Sequence, residues 1–95
     1  MSSLLLPDTG IQVELVDHAP MKMGRFRRWL DAEKNGDYPA QYAYIIEMIE
    51  GWNHPTLDPK DKFSLDELSL KDFNTLSAEC SAIIRRTNEI KNSPG

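Results

Sequence analysis

The chain has 95 residues, 40% of them hydrophobic, with only two Trp, three Tyr and three Phe. This predicts one domain with a thin core, marginal alone and helped by a partner or by self-association. A net charge of −4 and a pI near 5.0 argue against general nucleic-acid binding, because neutralising phosphates needs a cationic surface.

No apolar run approaches the roughly 20 residues of a membrane span. The first residues, Met1 to Pro7, lack the basic start of a signal peptide. The lone Cys80 excludes an internal disulfide and fits a reducing cytosol. The expectation is an intracellular protein without membrane contact.

Residues 1–20 read as an extended arm. Leu4 to Leu6 form a short apolar lead, and Pro7-Asp8-Thr9-Gly10 a turn. In the next segment Ile11, Val13 and Leu15 alternate with Gln12 and Glu14, the period of a half-buried strand. Its pairing partner is either Leu4–Leu6, as a hairpin, or a strand from another chain. His18 reads as a turn residue, since no second ligand stands at metal spacing.

Residues 21–34 read as the first helix. Met23, Phe26 and Leu30 share one face, with Trp29 at its edge. Arg25 and Arg28 lie three apart on a neighbouring face with Lys22, while Arg27 lies across the stripe. This basic face suits an acidic partner or a phosphate, or plain solvent, and no nucleic-acid motif surrounds it.

Residues 38–51 read as the central helix, entered through the turn Asn35-Gly36-Asp37. Asp37 can cap the free amides, and Pro39 suits the first turn, where a missing N–H is no loss. Tyr42, Ile45, Ile46 and Ile49 form an apolar stripe. Gly51 offers a left-handed stop, after which Trp52 can fold back over the stripe.

Residues 53–68 read as a loop with one capped turn. Asp58, Asp61, Asp66 and Glu67 are acidic, yet they lack the spacing and glycine of a calcium loop. Ser64 and Glu67 stand at capping-box spacing, and Ser69 repeats that start for a helix over 69–91. On this last helix Phe73, Leu76, Cys80, Ile83, Ile84, Thr87 and Ile90 make an amphipathic stripe. Asp72 near its start and Arg85, Arg86 and Lys91 near its end suit the helix dipole. Asn92 to Gly95 read as a frayed tail. The fold class expected is mainly α: a three- to four-helix domain with a short N-terminal strand or hairpin.

Two histidines, one cysteine and no glycine-rich phosphate loop make a poor catalytic inventory. The expectation is a non-enzyme without cofactor or metal.

One stretch resembles a known family. The helix running into Gly51-Trp52-Asn53, the short loop, and Leu65-Asp66-Glu67-Leu68-Ser69-Leu70-Lys71-Asp72-Phe73 resemble the small tail assembly chaperones of long-tailed bacteriophages over residues 11–90. The proline- and lysine-rich loop and the long last helix depart from that pattern. The resemblance implies a non-catalytic role in the host cytoplasm, binding the tape-measure protein or another phage tail protein. Its binding surface is then expected around Trp29, Trp52, Ile83 and Ile84, with Arg25 and Arg28 at the rim. Two other readings remain open: a phage-encoded inhibitor or adaptor of a host protein, and a virion connector or completion protein joined through the strand at 11–16.

Overall fold

A computed structural model describes residues 2–54, 56–61 and 64–89. Strand β1 (Ser2–Leu5) and strand β2 (Gln12–Leu15) form an antiparallel hairpin, with Leu4 opposite Val13. Gly10 turns the chain at φ 75°, a conformation that glycine adopts without steric cost. The Leu6 N–H donates to the Ile11 carbonyl at 2.8 Å and closes the turn. Of the two pairings expected, the hairpin is the one formed, but its partner strand is Ser2–Leu5 and not Leu4–Leu6.

Helix α1 (Met23–Asn35) ends at Gly36, whose φ of 65° is the left-handed stop. Helix α2 (Tyr38–Met48) starts as expected, with Asp37 accepting from the Ala40 N–H at 3.2 Å and Pro39 in the first turn.

The central element then departs from the sequence reading. It leaves the helix at Met48, and Ile49–Trp52 form a third strand, β3, antiparallel to β2. Gly51 pairs with Glu14 and takes no positive φ, so it is a strand residue and not a helix cap. One residue, Glu50, bulges between the Gly51–Glu14 and Ile49–Leu15 pairs. The physical reason for the switch is pairing. A helix continued to 51 would leave the far edge of β2 without partners, whereas β3 satisfies it. The Val16 N–H extends the ladder to the Met48 carbonyl at 3.0 Å.

Helix α3 (Leu70–Glu89) follows a 3₁₀ turn at Ser64–Glu67. Ser69 caps α3, accepting from the Asp72 N–H at 3.1 Å. Phe63, Ile90, Lys91 and the tail lie outside the described residues.

Among the described residues the fold is thus three helices and a three-stranded antiparallel sheet, ordered β1-β2-β3. This corrects the mainly α expectation to a mixed α and β architecture. It also removes the carrier of the connector reading, because the strand expected to join neighbours is the middle strand, paired on both sides.

The core gathers Leu6, Val13 and Leu15 from the hairpin with Trp29, Ile45, Ile49, Leu76, Ile83 and Ile84, all at 0% exposure. Alternation puts Val13 and Leu15 inside and Gln12 and Glu14 outside. Helix α3 is tied to the N-terminal residues at both ends. Buried Asp72 holds the β1–β2 turn, while Asn88 accepts from the Met21 N–H at 2.9 Å and donates to the Ala19 carbonyl at 2.9 Å. Residues 2–20 are therefore part of the packed domain.

Candidate protein-docking groove

The six residues expected to form one binding surface are dispersed. Trp29, Ile83 and Ile84 have no exposed surface, which removes them from any docking face of this fold. The apolar stripe of α3 that suggested them is the stripe that builds the core. Trp29 sits edge-on to Tyr44, with ring centroids 5.6 Å apart.

Arg25 is engaged on α2. Its guanidinium lies 4.6 Å above the Tyr44 ring and pairs with Glu47. Arg28 is exposed and has no ion-pair partner among the described residues. Trp52 is half-buried on β3, and its indole N–H donates to the Leu57 carbonyl at 2.8 Å. Arg25 borders a hollow with Val16 and Met48, whereas Trp52 borders a different one with Glu14 and Gly51.

A different surface stands out. A hollow of about 220 Å³ lies where the start of α2, the 3₁₀ turn and the start of α3 meet. Buried Leu65 and Phe73 form its floor, and half-buried Tyr42 and Leu68 its walls. Tyr38 and Leu70 stand at its rim, 46% and 68% exposed. Both tyrosine rings meet Phe73 edge-on at 5.5 Å, an arrangement favoured by the aromatic quadrupole. A shallower hollow continues past Leu70 along α3, beside Asn74, Thr75 and Ala78.

Among the described residues, the one charged side chain lining the groove is Asp66, whose Oδ1 accepts from the Tyr42 hydroxyl at 2.8 Å. Burial, and then Asp66 as acceptor and neighbouring charge, push the Tyr42 hydroxyl up to about 12. It therefore stays protonated at neutral pH and remains the donor.

Local sequence explains the groove. The caps of α2 and α3, Asp37 and Ser69, fix where both helices begin, and the aromatic residues just inside those starts face each other. Leu65, Leu68 and Leu70 then crowd onto a turn too short to bury all three. That crowding was the signal available in the sequence. It went unread because Leu70 does not belong to the buried stripe of α3.

The remaining chemistry is structural. Burial, with a smaller contribution from Glu79, pushes the Cys80 thiol up to about 12, so it is a protonated core group. His54 accepts at Nδ1 from the Thr56 and Leu57 N–H groups, at 3.1 and 3.0 Å. Among the described residues, no His, Cys, Asp and Glu group is arranged to hold a metal ion, and no helix is long and apolar enough to cross a membrane. No protein-family model, curated protein or solved structure matches the chain.

Proposed function

We propose that this chain is a non-catalytic protein-binding domain of the phage tail assembly chaperone type, which holds apolar segments of the tape-measure protein until tail subunits take them over. The observation that supports the reading is the groove between α2 and α3. It keeps Tyr38 and Leu70 exposed over a floor of Leu65 and Phe73. Exposed side chains grouped around an apolar hollow mark interaction sites on small domains. Of the features that carry the family resemblance, Leu65 to Phe73 lines the groove together with Tyr38 and Tyr42, whereas the helix expected to run into Gly51-Trp52-Asn53 ends at Met48.

A chaperone needs reversible binding and no reacting group. A small, partly open apolar site suits that task, since contact area without deep burial gives weak, exchangeable association.

The test is co-purification of the chain with segments of a long-tailed phage tape-measure protein, which are expected to stay soluble only in its presence. Leu70→Asp is expected to abolish that effect while leaving the circular-dichroism spectrum unchanged. Segments that ignore the folded wild-type chain would overturn the reading.

A further inference from the structure

Resting on the protein-binding reading above, we propose that the groove takes an amphipathic helix bearing a lysine or arginine one turn from its buried apolar residues, and that Asp66 selects that cation.

The size of the hollow limits the occupant. About 220 Å³ falls below the roughly 300–1,000 Å³ of small-molecule pockets. It is sized for a few side chains of a protein partner.

The backbone of the occupant follows from the walls. Among the described residues, the lining belongs to α2, the 3₁₀ turn, α3 and the link before α3, and none of it to a strand. An extended peptide would find no ladder of N–H and carbonyl groups here. A helix satisfies its own backbone and needs only side-chain contact. The shallow continuation along Asn74 and Ala78 gives such a helix room to lie beside α3.

Charge decides the rest. Among the described residues, Asp66 is the only charged one lining the groove, and exposed Glu67 adjoins it. Tyr42 holds Oδ1 of Asp66, and among the described residues nothing engages Oδ2, which is left for an incoming cation. Lys71 lines the continuation along α3, so the occupant's cation belongs at its Asp66 end and not over α3. A neutral or acidic helix would cover the Asp66 carboxylate without pairing it, at a cost in desolvation.

The test uses the full chain and fluorescein-labelled helical peptides in an alanine background. Each carries leucines at i and i+4 and one variable residue, Lys, Gln or Glu, at i+7, read by anisotropy. The Lys peptide is expected to bind about threefold to tenfold tighter than the Gln peptide, with the Glu peptide weakest. Asp66→Asn, which keeps an acceptor for Tyr42, is expected to erase the ranking, and Asp66→Lys to reverse it.

Equal binding of the three peptides to the wild-type chain overturns the inference. If tape-measure segments still bind in a Leu70-dependent way, the chaperone reading survives that failure. Charge-selective peptide capture with no tape-measure binding leaves the helix site standing and removes the phage partner. The chain also carries its own exposed apolar residue beside a cation, Met23 with Arg27 one turn on. Concentration-dependent association by light scattering that Met23→Asp abolishes would mean that a second copy's α1, itself such a helix, fills the groove, and would support the helix chemistry while removing the phage partner.

Discussion

Asp72 on α3 accepts hydrogen bonds from both the backbone N–H and the hydroxyl of Thr9, 63 positions earlier, at 3.1 and 2.8 Å. The Asp8 N–H donates to the same carboxylate at 2.8 Å, and Ser69 returns a bond to Asp8. A carboxylate with no exposed surface is tolerated because its oxygens are met by this turn. Removing it leaves three donors without an acceptor. Asp72→Ala is expected to cost about 3 kcal/mol and to lower the melting temperature by more than about 10 °C, read by circular dichroism. A melt unchanged from wild type would show that water replaces the carboxylate freely.

Stability is expected to fall in alkali. The Cys80 thiol, ordinarily near 9.0, and the Tyr42 hydroxyl, ordinarily near 10.0, are both pushed up to about 12 in the fold, chiefly by burial. Above pH 9 the unfolded chain releases protons that the native chain keeps, so the native state binds more protons and loses ground as pH rises. Urea midpoints should be insensitive to these two groups below about pH 9 and should decline from there toward about 12. Cys80→Ala should flatten the first part of the decline. The thiol should also resist Ellman's reagent until denaturant is added.

The junction of α2 and β3 is held by a lysine. Lys60 Nζ donates to the Ile46 and Ile49 carbonyls, at 2.8 and 2.6 Å, where the helix has run out of its own donors. Lys60→Met is expected to cost about 1–2 kcal/mol. It should also speed amide exchange at the end of α2 and in β3 ahead of the hairpin. Uniform exchange across the chain would place the lysine outside that junction's stability.

Burial separates the residues that fold the chain from those free to bind. Trp29→Ala empties the core centre and is expected to cost about 3–5 kcal/mol. Trp29→Phe should cost far less, because the buried indole N–H has no acceptor among the described residues and its loss leaves nothing unpaired. Leu70→Asp, on an exposed residue, should shift stability by no more than about 0.5 kcal/mol. Chemical denaturation of the three variants checks this order.

Local signals were legible wherever a few neighbouring residues carry the physics. Asp37 and Pro39 start α2, Ser69 starts α3, Gly36 ends α1, and the alternation from Ile11 to Leu15 marks β2. Phe73, Leu76, Cys80, Ile83 and Ile84 recur at helical spacing and are all buried. Each of these is settled by capping, by a positive φ or by one element's period.

Long-range pairing and the choice of buried face were decided only in three dimensions. Ile49 to Trp52 is apolar enough for either a helix end or a strand, and the open edge of β2, some 35 residues earlier, made it a strand. Trp29, placed by its period at the edge of a face, sits in the core where α2 closes over it through Tyr44. Leu70, one step beyond a helix cap, was left outside by the same closure. Sequence by itself determined where most elements begin and which residues could be apolar interior. Tertiary packing determined which apolar residues remained at the surface, and so where a partner can bind, because burying one face of a helix always exposes another.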